Sequence, residues 1–235
     1  MAGTLYLLPT QLGDTPWPAI LPAGTRAIAC RLHHFIVENA KTARAALKWL
    51  EHPGPLRELA IEQLPEPLAP ADIDRLLQPL HEGHDVGLMS EAGCPGVADP
   101  GALLVRRSHE TGIPVKPLVG PSSLLLALMA SGLDGQRFAF HGYLPQREPE
   151  RSRRIAELEK ESHLKRQTQL FIETPYRNDA LFAALLAACR PATLLCVATD
   201  LTLPGESVAT RTVAAWRRLA SAEFLRRPTV FLLLA

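Results

Sequence analysis

Short apolar runs alternate with helical patterns through the first half of this chain, and that alternation restricts the possible folds more than any other feature. Runs bounded by Gly, Pro or polar residues occupy 4–8, 34–38, 59–63, 85–89 and 115–118. Each reads as a buried strand. Between them, residues 42–51 set Ala43, Ala46, Leu47 and Leu50 on one helical face. Residues 71–81 do the same with Ile73, Leu76, Leu77 and Leu80, and 103–110 forms a shorter helical pattern. Strands alternating with helices predict an α/β fold with a mainly parallel sheet.

A second series follows. Helices are expected at 122–131, 151–163, 178–189 and 212–219, and strands at 137–141, 168–172, 193–199 and 228–234. With 235 residues, at about 150 residues per domain, the chain suits two small domains. The boundary is expected near 116–120, giving domains 1–117 and 118–235.

Composition excludes several classes. Hydrophobic residues make up 47% and charged residues 21%, so the chain has enough apolar surface for a core and is not disordered. There are 21 prolines, about 9% against a usual 5%, which points to many strand ends and stiff loops. The net charge of +1 gives no overall basic excess of the sort duplex-binding proteins show. Cys30, Cys94, Cys189 and Cys196 form no C-x-x-C pair and no zinc spacing, so a reducing cytoplasm is expected. The N-terminus lacks the charged start of a signal peptide. The longest uncharged run, 117–133, carries Pro and Gly near its start. It is too broken to span a bilayer core of about 30 Å, so no membrane partner is expected. The eight histidines are scattered, and His81 and His84 lack an obvious partner, so no metal is expected.

Several segments carry chemistry. The clearest is Ser90-Glu91-Ala92-Gly93-Cys94-Pro95-Gly96-Val97-Ala98-Asp99-Pro100-Gly101, which follows an expected strand and precedes a helix. Loops at strand C-termini are where open α/β sheets bind ligands, and glycines admit close backbone approach. A long structural turn fits the same composition. Neither G-x-G-x-x-G nor G-x-x-x-x-G-K-[ST] occurs, and no G-x-S-x-G marks a hydrolase. Gly120-Pro121-Ser122-Ser123 puts two hydroxyls at a helix start, as caps or as ligand contacts. Residues 38–44 follow a strand with Asn39 as a good helix cap, and 173–177 and 199–206 also follow strands.

Taken together and in order, these segments resemble the tetrapyrrole-methylase superfamily of S-adenosylmethionine-dependent methyltransferases. The resemblance is strongest to the branch that methylates cytidine 2′-hydroxyls of small-subunit ribosomal RNA, and it covers almost the whole chain. Residues 5–14, Leu-Tyr-Leu-Leu-Pro-Thr-Gln-Leu-Gly-Asp, resemble an opening strand and its P-x-x-x-G-[ND] turn. Residues 90–101 resemble D-A-G-T-P-x-x-x-D-P-G, with Ser90, Glu91 and Cys94 substituted. Residues 120–123 resemble G-P-[SC]-[SA], 138–145 resemble F-x-x-x-G-[FY]-L-P, and 173–177 resemble Y-E-[ST]-[PT]-[HY]-R.

The resemblance implies two α/β domains of the tetrapyrrole-methylase type with a cofactor cleft between them, a homodimer, and S-adenosylmethionine as cofactor. It implies that Ser90, Glu91, Gly93, Cys94 and Val97 take the methionine and ribose parts. Ser122 and Ser123 would meet the cofactor from the second domain, and Leu12, Phe171, Leu201 and Thr229 would line its adenine and ribose side. Glu38 and Lys41 are the candidate catalytic residues, with Asp14, Asn39 and Arg177 positioning substrate. Where that branch has A-E-D-T-R-H-T, this chain has Val-Glu-Asn-Ala-Lys-Thr-Ala at 37–43, and its E-L-T-K becomes Asp-Leu-Thr-Leu at 200–203. The last expected strand runs nearly to Ala235, where the branch continues into a small helical region. The expected function is methyl transfer to ribosomal RNA. The alternatives are a tetrapyrrole, a small molecule or a protein as acceptor, and a cofactor-binding module without catalysis.

Overall fold

A computed structural model describes residues 2–219 and 226–235. The chain divides into two compact units, Met1–Ser122 and Ser123–Ala235. In the first, β1 (Leu5–Leu7), β2 (His34–Val37), β3 (Ala60–Gln63), β4 (Val86–Met89) and β5 (Val115–Pro117) form one sheet. Their order is β3-β2-β4-β1-β5, and every neighbouring pair is parallel.

A parallel sheet must bury both faces, and successive residues of a strand point to opposite sides. Tyr6, Leu8, Phe35, Val37 and Met89 accordingly pack with α2 (Ala23–Ala29) and α3 (Ala40–Trp49) on one face. Leu5, Ile36, Val86 and Leu88 pack with α4 (Pro70–His81) and α5 (Ala102–Glu110) on the other. Fully burying one such Leu or Phe stabilises the fold by about 1.5–3 kcal/mol. The short α1 (Trp17–Ile20) precedes α2. Neither α1 nor α2 was expected from periodicity, and the segment that forms them contains Pro16, Pro18, Pro22 and Gly24. Both helices start at prolines, where the missing N–H costs nothing.

The second unit contains α6 (Ser123–Ser131), β6 (Phe138–Tyr143), α7 (Glu150–Lys165), β7 (Thr168–Ile172) and α8 (Asn178–Ala188). It continues with β8 (Leu194–Thr199), β9 (Ser207–Thr212), α9 (Val213–Trp216) and β10 (Thr229–Leu234). The sheet order is β6-β7-β10-β8-β9. Only β6 and β7 pair parallel; β10 is antiparallel to both β7 and β8, and β9 to β8. Phe171, Leu195, Val197, Phe231 and Leu233 bury one face against α7, α8 and α9. The Phe171 and Phe231 rings lie 6.1 Å apart. Trp216 Nε1 donates to Leu195 O at 2.8 Å, locking α9 to the sheet. Buried Glu159 accepts from Arg190 N at 2.7 Å and from the Thr193 hydroxyl, which ties α7 to the α8–β8 connection. On the opposite face, Leu170, Cys196, Ala198, Val230 and Leu232 are buried. Thr210 Oγ1 donates to Ser131 O at 2.6 Å, fastening α6 to β9. Among the described residues no helix is long and apolar enough to cross a membrane.

Candidate functional site

The strand order of the first unit creates its own ligand end. From β1 the chain leaves through α1 and α2 toward β2, and from β4 it leaves through α5 toward β5, in the opposite direction. These two connections cover opposite faces. Adjacent strands that diverge in this way open a crevice at their C-terminal ends, where α/β sheets bind ligands. The segments at that point are 9–14 after β1 and 90–101 after β4.

Backbone bonds join the two segments. Thr10 N donates to Gly93 O at 2.9 Å, and Thr10 Oγ1 donates to Ser90 O at 3.4 Å. Gly93 has φ of 74°, and a Cβ there would lie 3.4 Å from Leu12 Cδ2. Ala98 holds a left-handed φ of 64°, which is uncommon for a residue with a side chain and clusters at functional sites. Cys94 Sγ donates to Pro121 O at 3.4 Å. Burial, and then the Asp99 charge, push its thiol up. Val97 is exposed, and its N–H donates to Cys94 O. Gln11 Oε1 is buried with no hydrogen-bond partner. An unsatisfied buried acceptor is costly, and a ligand donor would satisfy it.

Carboxylates gather at the same end. Glu38, after β2, accepts from Glu91 N at 3.1 Å through Oε2. Thr42 Oγ1 donates to Glu91 Oε1 at 3.5 Å. Asp99 is pushed up to about 6, first by burial and then by Glu38 and Glu91, while a bond to Ser90 pulls the other way. Asn39 is engaged as the cap of α3, accepting from Lys41 N at 2.9 Å and Thr42 N at 3.3 Å. Lys41 and Asp14 are exposed.

The raised Asp99 carries a stability consequence. The folded state holds this proton more tightly than the unfolded state does, so the contribution is full below about pH 4 and is lost as pH rises through about 6. Unscreened, the shift is worth about 3 kcal/mol; solvent screening reduces it to about 1–2 kcal/mol. Asp99→Asn is therefore expected to be the more stable protein by that amount at about pH 8, with the advantage vanishing near pH 4. Thermal unfolding of both proteins across this range checks the sign.

In the second unit, the C-terminal ends of β7 and β8 meet the start of β10 at one edge of the sheet. Leu201 is buried between Asp200 and Thr202, both at positive φ. Thr229 is buried and donates to Arg227 O at 2.8 Å, as does Asn178 Nδ2. Arg227 Nε donates to Asp200 Oδ2 at 2.6 Å. Thr199 Oγ1 and Asn178 Oδ1 are buried with no hydrogen-bond partner. Phe171 has no exposed surface, so it belongs to the core and does not line the adenine and ribose side as expected. Arg177 donates from Nε (2.9 Å) and Nη2 (2.7 Å) to Oε1 of buried Glu173, and lies over the Tyr176 ring. Ser122 ends the first unit and Ser123 opens α6.

The structure thus brings Leu12, Glu38, Ser90, Glu91, Gly93 and Cys94 to one end of the first sheet, and Leu201 and Thr229 to one edge of the second. Reading the sequence assigned no role to Gln11, Asp99, Asn178 or Thr199. Asp99 lies within the D-P-G match, and Asn178 directly follows Arg177, so both stood beside segments already singled out.

Comparison with known proteins gives this site a family. The family model of Tetrapyrrole (Corrin/Porphyrin) Methylases matches residues 35–222. The Ribosomal RNA small subunit methyltransferase I of Xylella fastidiosa is 32% identical over 212 residues, covering 90% of this chain and 73% of that protein. The protein of the same name from Pseudomonas aeruginosa is 32% identical over 176 residues, covering 75% and 58%. The match to the Escherichia coli O157:H7 protein is 30% over 207 residues, covering 88% and 68%. The chain therefore spans 58% to 73% of the length of these relatives. Among solved structures, the methyltransferase CobJ has a TM-score of 0.64 at 18% identity, covering 99% of this chain and 93% of that one. Uroporphyrin-III-C-methyltransferase from Thermus thermophilus has a TM-score of 0.56 at 22% identity, covering 99% and 94%. Family match, relatives and fold agree: the chain belongs to the tetrapyrrole (corrin/porphyrin) methylase family.

Proposed function

We propose that the protein is an S-adenosylmethionine-dependent methyltransferase that methylates a ribose 2′-hydroxyl of small-subunit ribosomal RNA. The observation that carries this reading is the acceptor-rich end of the first sheet: Gln11 Oε1 lacks a partner there, and Glu38, Glu91 and Asp99 lie at the same end. S-adenosylmethionine bears an ammonium and a sulfonium, and charge complementarity favours such a ligand at this end. The relatives' names favour ribosomal RNA as the acceptor.

In this reading, Leu12, Ser90, Glu91, Gly93, Cys94 and Val97 hold the cofactor through backbone groups and short side chains, joined by Gln11. In the second unit, Leu201 and Thr229 lie at the same end of the sheet as the open oxygens of Asn178 and Thr199, which could take a polar ligand group. When bound, the cofactor supplies an electrophilic methyl group on sulfur. The chain's share is alignment and proton handling. Glu91 N–H orients the Glu38 carboxylate, which takes the proton of the attacking hydroxyl. Lys41 offsets the negative charge of the RNA backbone. Asp14, exposed after β1, positions the acceptor.

Glu38→Gln keeps an acceptor for Glu91 N–H and removes the base. It is expected to lower turnover by about 100-fold or more while leaving cofactor affinity nearly unchanged. The assay transfers labelled methyl groups to small ribosomal subunits from cells lacking this protein; undiminished turnover by the variant removes the base assignment. The same reading takes the protein as a cytoplasmic homodimer. The exposure of Leu125 (53%) and Met129 (80%) on α6 supports a partner on that helix.

A further inference from the structure

At the opposite end of the first sheet, where its strands begin, lies an open pocket of about 310 Å³ lined by Arg31, Leu32, His33, His34, His84 and Asp85. Residues 31–34 lead into β2 and residues 84–85 into β4, and these strands are parallel neighbours. The topology thereby gathers three imidazoles and a guanidinium from two distant stretches of sequence. The His34 and His84 rings stack with centroids 4.8 Å apart, inclined by 25°. Arg31 is fixed at the pocket wall: Nη2 donates to Tyr6 Oη at 2.8 Å, and the guanidinium lies over the Tyr6 ring. Asp85 Oδ1 accepts from Thr4 N at 2.8 Å, and Oδ2 lies 4.0 Å from Arg31.

Arg31 and Asp85 carry opposite charges, and a proton on His34 adds one positive charge. Protonation is opposed from within. His34 is held below its ordinary range by burial first, then by His84 and His33, while Glu62 and Glu82 pull the other way. Glu62 is engaged by Arg75, and Glu82 accepts from Gln78. An oxyanion against the rings relieves the repulsion between imidazoliums, so anion binding and proton uptake reinforce one another. The guanidinium of Arg31 and the imidazole N–H groups around it are donors, and an anion is the ligand that such a lining suits.

We propose that Arg31, His33, His34 and His84 form a binding site for a phosphate group, remote from the cofactor end, that strengthens as His34 takes up a proton. The phosphate comes either from an RNA backbone or from a free phosphate ion. The proposal stands whether or not the protein transfers methyl groups.

The test is a histidine-detected NMR titration of the whole protein with inorganic sulfate, inorganic phosphate and a short single-stranded oligoribonucleotide. Sulfate keeps its charge across the range, so any pH dependence of its binding belongs to the protein. The proposal expects saturable shifts of the His34 and His84 resonances at about pH 6, and sulfate binding weaker by about tenfold or more at about pH 8. Arg31→Gln and His84→Gln should each weaken binding by about tenfold or more, the worth of one charge-assisted hydrogen bond. If His84→Gln does not fold, Arg31→Gln and the wild-type titration decide. At equal phosphate concentration, tighter binding of the oligonucleotide assigns the site to an RNA backbone, and equal or tighter binding of inorganic phosphate assigns it to the free ion. Resonances unmoved by all three ligands, or shifts indifferent to pH and to Arg31→Gln, overturn the proposal.

Discussion

Gly93→Val is expected to lower S-adenosylmethionine affinity by about 100-fold or more and to destabilise the first unit by about 2 kcal/mol. Gly93 sits at φ of 74°, where an L-residue with a Cβ pays about 1–2 kcal/mol and a β-branched one more. Its carbonyl accepts from Thr10 N, so relaxing the strain would pull the two crevice loops apart. Remaining in place is no better, because the new side chain would enter the space beside Leu12 Cδ2 and Pro121 O. Both routes remove the close backbone approach on which the proposed cofactor contact depends. Calorimetric titration and thermal unfolding read the two effects separately. A variant that unfolds earlier yet binds the cofactor like the wild type would show that residues 90–101 form a structural turn only.

Gly120→Ala is expected to cost more stability than its single methyl suggests, about 2–3 kcal/mol. A Cβ at this position would lie 2.4 Å from Pro9 Cβ and 2.7 Å from Pro9 Cγ. A proline ring cannot swing aside as a flexible side chain does, so the backbone must give. Leu21 Cδ1, 3.1 Å away on another side, narrows the escape. Pro9 leads directly into Thr10 and its bond to Gly93, and Pro121 O receives the Cys94 thiol. The displaced segment therefore touches both loops of the crevice, and cofactor affinity should fall together with stability. Alanine is otherwise a mild replacement for glycine. A variant with wild-type unfolding would mean that the loops adjust freely and that the crevice is not preorganised.

How much of this was readable beforehand depends on what each segment buries. The five strands of the first sheet lie within 4–8, 34–38, 59–63, 85–89 and 115–118; β1, β2 and β4, largely buried, read as continuous apolar runs. Strand β9, Ser-Val-Ala-Thr-Arg-Thr, escaped because it is a half-exposed edge strand with little apolar content. The helix expected at 212–219 is confined to Val213–Trp216, opened by Thr212 Oγ1 accepting from Ala215 N. The alternation that predicts a parallel sheet fails in the second unit, where β10 inserts antiparallel between β7 and β8. Strand order is a long-range property that local periodicity does not encode. The same limit governs the site. Motif order found the loops, but only the fold shows that Gln11, Asn178 and Thr199 carry unsatisfied buried oxygens and that Glu38 and Glu91 lie close enough to Asp99 to raise it. It also shows that Asn39 is occupied as a helix cap and that the Phe171 ring is sealed in the core.

The central claim is that the acceptor-rich end of the first sheet holds S-adenosylmethionine. Isothermal titration of the cofactor into the folded wild-type protein tests it most directly. Saturable binding of one cofactor per chain is expected, lost in Gly93→Val and retained in Glu38→Gln. No heat of binding to a protein that unfolds cooperatively, or binding that Gly93→Val leaves untouched, would contradict it.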